Sequence, residues 1–106
     1  MKIVILDEAE QDLLDGFAFY ESQEPGLGDY FLNTLFGDIG SLRLYAGIHG
    51  KAFGFHRMLS SRFPYAVYYS VRGETASVIA VLDCRRNPSR TETRLKKNST
   101  PKDDHP

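Results

Sequence analysis

The sequence contains a single cysteine, Cys84, so it lacks the partner that an intramolecular disulfide requires. It also lacks a long apolar run, because a transmembrane helix needs about 20 apolar residues and uncharged stretches such as residues 75–82 are far shorter. Residues 1–8 carry one basic side chain and an apolar run that acidic residues cut short, so the parts of a secretion signal are missing. These absences predict a cytoplasmic protein without a membrane segment.

Closely spaced metal ligands are missing as well. His49 and His56 are seven positions apart, His105 lies near the C-terminus and Cys84 stands alone, so no pair has the spacing of a structural zinc site. The glycine-containing stretch at residues 26–28 follows no strand and does not continue as a phosphate-binding loop. The sequence therefore predicts no metal, no other cofactor and no nucleotide hydrolysis.

What is present fits one globular domain. The chain has 106 residues, of which 42% are hydrophobic and 25% are charged, close to the averages for globular proteins. The net charge is only −1, yet residues 1–50 contain nine acidic and two basic side chains, and residues 51–106 contain eleven basic and five acidic ones. This asymmetry leaves two interpretations open: a polyanionic partner for the basic half, or neutralisation by the acidic half within the molecule.

The chain begins with the pattern of a strand followed by a helix. Residues 2–6 form a short, largely aliphatic run that suits a strand covered on both faces. Asp7, with Glu10 three residues later, has the pattern of a capping box at a helix N-terminus. An apolar stripe then follows at helical spacing: Ala9, Leu13, Phe17 and Tyr20. Gly16 in this helix costs about 1 kcal/mol relative to alanine, which packing must offset.

A second helix is predicted after a turn at residues 25–28, where proline and glycine interrupt the helical pattern. Asp29 is the expected N-cap. The apolar stripe of this helix again has helical spacing: Phe31, Leu35, Ile39 and Leu42. Because the connection is short, we expect an antiparallel helical hairpin, in which Gly37 and Gly40 let the second helix approach the first closely.

The second half of the chain has the two-residue period of β-strands. Residues 55–60 fit one strand. A longer strand alternates its apolar side chains: Phe63, Tyr65, Val67, Tyr69 and Val71. Residues 72–74 predict a hairpin turn into a β-branched, uncharged strand at residues 75–82. The predicted fold class is α+β, with an N-terminal strand and an α-helical hairpin packed on a small, mainly antiparallel β-sheet.

The last part of the chain is polar. After Pro88 only Leu95 is hydrophobic, among serine, threonine, asparagine, lysine and arginine. We therefore expect residues 89–106 to form a flexible tail outside the folded domain.

Several arginines lie on or beside neighbouring predicted strands and are candidates for binding a polyanion or a macromolecular target. The four arginines are Arg57, Arg62, Arg85 and Arg86, and one aromatic residue, Tyr69, belongs to the same candidate set. The guanidinium group matches phosphate, and strand aromatics stack on exposed bases. His56 is the only side chain of this region that titrates near neutrality, so it is the candidate proton-transfer group of a metal-independent ribonuclease. The alternative is that these arginines pair with the acidic helices.

Four segments, in the same order along the chain, resemble the ParE/RelE superfamily of toxins from bacterial type II toxin–antitoxin systems. They are Glu8-Ala9-Glu10-Gln11-Asp12-Leu13, Tyr20-Glu21-Ser22-Gln23-Glu24-Pro25-Gly26-Leu27-Gly28, Arg62-Phe63-Pro64-Tyr65-Ala66-Val67-Tyr68-Tyr69, and Val78-Ile79-Ala80-Val81-Leu82-Asp83-Cys84-Arg85-Arg86-Asn87-Pro88. The resemblance covers residues 1–88, the expected toxin domain. It implies a compact toxin, of the kind found in plasmid-stabilisation systems, that forms a hetero-oligomer with a cognate antitoxin.

Within this superfamily, RelE-like members cleave messenger RNA on the ribosome and ParE-like members inhibit DNA gyrase. Arg62 and Arg85 match arginines of the family, before the Tyr-x-x-x-Tyr strand and after the last strand. Asp83 stands where a histidine is common, and this carboxylate is expected to orient Arg85 or Arg62. No tyrosine follows Tyr69, so the C-terminal aromatic residue of the nucleases is absent. The Pro-Gly-Leu-Gly turn and the Phe-Pro-Tyr strand favour the ParE-like side.

The resemblance leaves three functional hypotheses. The first is a toxin that inhibits a macromolecular target, with DNA gyrase favoured, and is not an enzyme. The second is a ribosome-dependent messenger RNA endoribonuclease in which Arg62 and Arg85 stabilise phosphate charge and His56 moves protons. The third is an inactive interaction domain bound to its antitoxin.

Overall fold

The computed structural model describes residues 1–99, which form five strands and four helices around one sheet. In chain order these are β1 (Lys2–Ile5), α1 (Asp7–Gln23), α2 (Leu27–Gly40), α3 (Leu42–Tyr45), β2 (Lys51–Ala52), β3 (Phe55–Leu59), β4 (Tyr65–Arg72), β5 (Thr75–Asp83) and α4 (Pro88–Ser99). The strand order is β1-β5-β4-β3-β2, with β1 parallel to β5 and every other pair antiparallel. The predicted α+β class, with a helical hairpin on a mainly antiparallel sheet, is confirmed.

The sheet is covered on both faces because β4 and β5 carry apolar side chains on both sides. Alternate residues of β4, Tyr65, Val67 and Tyr69, pack with α1 and α2 in the larger cluster. The intervening Ala66 and Tyr68 belong to a smaller cluster on the opposite face, together with residues of β3, β5 and α4. The two-residue period thus indicated the strand correctly from Tyr65 onward, whereas Phe63 precedes it. The side chains between its apolar positions form a second core.

The ends of the two long helices differ from the sequence prediction. Asp7 is the first residue of α1, Leu6 occupies the N-cap position, and no side chain caps the helix, so the predicted capping box does not form. The acidic first turn still favours the positive end of the helix dipole. The second helix begins at Leu27, before the expected cap Asp29. Its N-terminus is held by Glu21 of α1, whose carboxylate accepts hydrogen bonds from the N–H groups of nearby residues, at 3.0 Å for Gly26 and 2.9 Å for Gly28.

The close approach of α1 and α2 occurs at glycines other than those predicted. A Cβ on Gly16 would overlap the ring of Phe31, and a Cβ on Gly28 would lie 2.7 Å from the ring of Phe17. The space around Gly37 is open, and the only neighbour of a Cβ on Gly40 would be a guanidinium nitrogen 3.6 Å away. The prediction for Gly37 and Gly40 is therefore wrong, and the glycines that permit the helix contact are Gly16 and Gly28.

The segment expected to be flexible after residue 88 folds as the helix α4 as far as Ser99. Asn87 initiates this helix, because its Oδ1 accepts a 2.9 Å hydrogen bond from the Ser89 N–H. Leu95 is completely buried in the smaller cluster, which supplies the packing that the polar composition did not indicate. The prediction of a flexible tail is therefore corrected for residues 89–99, and residues 100–106 lie outside the described residues.

An acidic residue of α1 connects α4 to the sheet. Asp12 Oδ2 accepts a 2.9 Å hydrogen bond from the Val81 N–H, in the part of β5 that extends beyond its pairing with β1. The same carboxylate receives two hydrogen bonds from Arg94 of α4, at 2.9 and 2.8 Å. Asp12 thus binds the edge of β5 where β1 leaves it unpaired, and it holds α4 against α1. Within residues 1–99, no helix has both the length and the apolar character to cross a membrane.

Candidate functional site

Two loops meet at the end of the sheet where β4 begins and β5 ends. The Cys84 N–H, just after β5, donates a 2.7 Å hydrogen bond to the carbonyl of Pro64, just before β4. Arg62 precedes this bonded pair on one loop, and Arg85 follows it on the other. The antiparallel pairing of β4 and β5 therefore brings to one end of the sheet the two arginines that the resemblance singled out.

Arg85 is oriented by Asp83, the last residue of β5. Its Nε donates to Oδ1 at 3.0 Å and a terminal nitrogen donates to Oδ2 at 2.8 Å, as in a bidentate ion pair. The hydrogen bonds from Arg85 lower the pKa of Asp83, and the same pairing raises the pKa of the guanidinium. The Arg85 side chain is still 58% exposed, so the cation is fixed in direction and remains open to solvent.

Arg62 is oriented by an aromatic side chain of α2. A terminal nitrogen donates a 3.0 Å hydrogen bond to the hydroxyl of Tyr30. The centroid of the Tyr30 ring lies 5.4 Å from that of Phe63, and the Phe63 centroid lies 4.9 Å from that of Tyr20. The Tyr20 hydroxyl in turn accepts a 3.5 Å hydrogen bond from Arg85. The two guanidinium groups are thus anchored to the same aromatic cluster. Among residues 1–99, Arg62 forms no ion pair.

Within residues 1–99, Tyr65 and Asp83, which lie at this end of the sheet, are each held in one protonation state near neutral pH. Burial, followed by the charge of Asp83, raises the pKa of Tyr65 to about 12, so this phenol keeps its proton at neutral pH. The lowered pKa of Asp83 makes its carboxylate a weak base. The only histidines of the described chain, His49 and His56, lie elsewhere.

The structure does not bring His56 to Arg62 and Arg85. His56 pairs with Tyr69 in the β3–β4 register, four residues along β4 from its start, which corresponds to about 13 Å of strand. Its ring stacks on that of Tyr69 with centroids 5.0 Å apart, and its Nδ1 lies 2.6 Å from the carbonyl oxygen of His49. The geometry gives His56 a structural contact in place of the expected catalytic one.

Tyr69 is also corrected as a candidate binding residue. Its side chain is completely buried in the larger cluster and so offers no surface to a target. Its hydroxyl accepts a 3.0 Å hydrogen bond from the Gly47 N–H and is hydrogen-bonded to the ring of His49. Tyr69 holds the loop after α3 against the sheet.

Arg57 and Arg86, the remaining candidates, lie beside the face of the sheet that α4 covers. Arg57 Nε donates to the Tyr68 hydroxyl at 3.1 Å, which raises the pKa of the guanidinium, and a terminal nitrogen lies 3.6 Å from Cys84 Sγ. Arg57 and Arg86 line one cleft there.

The predicted arginine set is therefore divided. Arg62 and Arg85 contact the aromatic cluster, and Arg57 lies on the α4 face. Arg86 lines both the cleft there and a second cleft with Asp12 and Asp15 of α1.

The sequence reasoning missed the tyrosines that position the arginines. Tyr20 has helical spacing and was assigned to the core, where its ring is indeed buried, but its hydroxyl reaches Arg85. Tyr30 lies outside the apolar stripe of α2 and is 44% exposed. The sequence feature that could have indicated a role for Tyr30 is its place next to the predicted turn and outside the apolar stripe. Within residues 1–99, no group of three metal-ligating side chains could hold a metal ion.

Comparisons with known proteins add to this geometry. No family model and no curated protein sequence matches the chain. Among solved structures, the chain is similar to one described as the chromosomal ParDE TA system from P. aeruginosa, with a TM-score of 0.69 and 16% identity over 76% of this chain and 92% of that one. The chain has a ParE-like fold. At this identity the similarity establishes the ParE-like fold alone.

Proposed function

We propose that this chain is the toxin component of a type II toxin–antitoxin system of the plasmid-stabilisation kind. In this proposal it acts in the cytoplasm, is neutralised by a cognate antitoxin and inhibits DNA gyrase. The ParE-like fold is the observation that carries the proposal. The arrangement of Arg62 and Arg85 supports it, because two oriented and exposed guanidinium groups suit the recognition of a charged macromolecular surface.

An antitoxin partner is supported by apolar surface on α2, α3 and the loop after α3. Phe36 is 49% exposed, Leu44 81% and Ile48 71%. These three side chains come from consecutive segments of the chain, and exposed apolar side chains that form a patch mark sites of protein association. A hetero-oligomer with the antitoxin would cover them.

The surroundings of Arg62 and Arg85 favour an inhibitor over a ribonuclease. Cleavage of RNA without a metal needs a group that removes the 2′-hydroxyl proton and another that protonates the leaving oxygen. In the described chain, Tyr65 keeps its proton, Asp83 is a weak base and His56 packs against Tyr69. The two arginines can therefore bind negative charge, but in the part of the chain that the structure describes, Tyr65, Asp83 and His56 are not suited to acid–base catalysis beside them at neutral pH.

Controlled expression tests the proposed activity. We expect growth to stop on induction, with cleaved gyrase–DNA complexes accumulating while messenger RNA stays intact. The Arg62→Ala/Arg85→Ala variant should restore growth because it removes both guanidinium groups. Arg72→Ala is the matched control, since it removes an exposed positive charge at the far end of β4 and should remain toxic.

The other outcomes separate the remaining hypotheses. Cleavage of ribosome-bound messages that disappears in the double variant would replace gyrase inhibition by nuclease action. Unimpaired growth despite soluble expression would leave an inactive interaction domain.

Co-purification tests the antitoxin separately. The product of the adjacent reading frame is expected to form a stable complex with this chain, and Leu44→Asp/Ile48→Asp should weaken that complex by placing charge in the apolar surface. A chain that remains monomeric beside its co-expressed neighbour would contradict the antitoxin part of the proposal.

A further inference from the structure

A small cleft lies between α1 and the end of the sheet where β4 begins and β5 ends. Its charged and aromatic lining residues come from α1, from both strands and from the loop after β5: Asp12, Asp15, Phe19, Tyr65, Asp83 and Arg86. We call it the α1 cleft. Its volume of about 180 Å³ is several times the roughly 30 Å³ of one water molecule and below the roughly 300 to 1,000 Å³ of a drug-sized pocket. The α1 cleft therefore suits a small ligand.

One buried polar group of the α1 cleft has no partner within the described chain. Tyr65 is only 8% exposed, and within residues 1–99 its hydroxyl makes no hydrogen bond, whereas the other buried tyrosines, Tyr20, Tyr68 and Tyr69, all have hydrogen-bonded hydroxyls. Burial, and then the charge of Asp83, raise the pKa of Tyr65, so its hydroxyl lies near another residue that lines the cleft. A buried hydroxyl without a partner is uncommon and indicates a place where a ligand binds.

Two of the three carboxylates in the α1 cleft are already neutralised. Asp12 receives two hydrogen bonds from Arg94, at 2.9 and 2.8 Å. Asp83 forms the bidentate pair with Arg85. These carboxylates are held in place by cations of the chain itself, so they do not require a charge from a ligand.

Asp15 and Arg86 are the charged residues of the α1 cleft that form no ion pair among residues 1–99. Asp15 Oδ1 accepts a 2.9 Å hydrogen bond from the neutral amide of Gln11, and its Oδ2 accepts none from the described residues. The two side chains therefore line one cleft without neutralising each other. A ligand between them meets one negative and one positive group.

An aromatic ring forms the apolar part of the α1 cleft. Phe19 is 47% exposed. Its ring packs edge to face on that of Tyr20, with centroids 5.0 Å apart, which fixes its orientation. An oriented ring beside two opposite charges offers an apolar contact to a ligand that carries both charges.

We propose that the α1 cleft binds a free α-amino acid with an apolar side chain. The ammonium group of the ligand binds Asp15 and donates to the hydroxyl of Tyr65, and its carboxylate binds the guanidinium of Arg86. The apolar side chain of the ligand packs on Phe19. A simple cation would leave Arg86 without a partner, and a simple anion would leave Asp15 without one. This inference does not rest on the proposed toxin function.

Titration of the isotope-labelled full chain with L-phenylalanine, followed by NMR of its backbone amides, tests the proposal. We expect a dissociation constant of roughly 0.1 to 1 mM, as for a ligand of this size, and shifts at Gly16 and Val81, which also line the α1 cleft. Two analogues test the requirement for both charges. 2-Phenylethylamine lacks the carboxylate and 3-phenylpropanoate lacks the ammonium group, so each should bind at least about tenfold more weakly.

Variants of the two charged residues test the contacts assigned to them. Asp15→Asn and Arg86→Gln should each weaken the binding of L-phenylalanine by at least about tenfold, because each removes a charge-assisted hydrogen bond. Glu10→Gln and Arg72→Gln are the matched controls. They remove the same charges from α1 outside the cleft and from the far end of β4, and they should bind like the parent chain.

Tyr65→Phe separates binding from folding. This variant keeps the buried ring and should weaken the binding of L-phenylalanine by about tenfold. Its melting temperature should be equal to or higher than that of the parent chain, because the hydroxyl has no partner to lose among the described residues. A purely structural hydroxyl would give the opposite pattern, a lower melting temperature with unchanged affinity.

Any of four results would overturn the proposal. They are the absence of binding by both L-phenylalanine and L-leucine, an equal loss of affinity in the Glu10 and Arg72 controls, unchanged affinity of Tyr65→Phe, and binding of 2-phenylethylamine as tight as that of L-phenylalanine. The last result would assign the α1 cleft to a simple organic cation.

Discussion

Gly16 determines how closely the two long helices pack. Its missing side chain leaves room for the ring of Phe31, which is completely buried. We expect Gly16→Ala to destabilise the fold by about 1 to 3 kcal/mol, because the displaced ring outweighs the gain in helix propensity. The free energy of urea unfolding measures the effect.

Gly37 provides the matched control for this prediction. It lies in α2 with open space around it, so a methyl group there meets no neighbour. Gly37→Ala should stabilise the protein by up to about 1 kcal/mol through helix propensity. If both variants were stabilised, the packing role of Gly16 would be refuted.

His49 gives stability a predictable dependence on pH. Burial, and then the charge of His56, lower the pKa of His49 below its usual 6.5. Below pH 6.5 the unfolded chain therefore binds more protons than the folded one, so stability should fall as the pH decreases from about 7 to 5. The urea concentration at the midpoint of unfolding should fall less between pH 7 and 5 for His49→Gln than for the parent protein, because glutamine cannot be protonated. Identical slopes for the two proteins would contradict the prediction.

At the scale of elements, α4 depends on one apolar side chain. Leu95 is completely buried, and Leu95→Ala should cost about 2 to 5 kcal/mol in unfolding free energy because it leaves a cavity. Arg90→Ala, on the exposed side of the same helix, should change stability by less than about 0.5 kcal/mol. A small effect of Leu95→Ala would show that α4 contributes little to the fold.

The start of α4 was visible in the sequence, although its docking was not. Asn87 followed by Pro88 is a favourable N-cap and first helical residue. The composition of residues 89–99 instead predicted a flexible segment, because a single leucine does not make an apolar stripe. The contact of Arg94 with Asp12 joins positions 82 residues apart, a distance at which no local pattern carries information.

At the scale of the whole molecule, the structure accommodates both interpretations of the charge asymmetry. Acidic α1 and basic α4 lie together, and Glu8 and Asp12 pair with Arg94 and Lys97. Arg57, Arg62, Arg86 and Arg90 have no ion pair within residues 1–99. Part of the basic half is therefore neutralised internally, and part has no ion pair among the described residues.

One sheet shared by all the helices predicts a single unfolding transition. We expect helical circular dichroism and the fluorescence of the tyrosines, whose signal no tryptophan obscures, to change together with urea. The expectation follows from the burial of Tyr69 on one face of the sheet and of Tyr68 with Leu95 on the other. An early loss of helix without a change in tyrosine fluorescence would mean that α4 unfolds separately and that the domain ends near residue 88.

The sequence by itself determined β1, α1, α2, β3, β4 and β5, apart from their exact ends, and the class of the fold, because helical and strand periods are local properties of a chain. The short elements α3 and β2 were not predicted. The tertiary structure alone decided which glycines permit the helix contact, that Tyr69 is buried, and that His56 lies apart from Arg62 and Arg85. It also decided which arginines form ion pairs within residues 1–99. These features depend on which distant segments meet across the sheet, and a pairing between distant residues has no local sequence pattern.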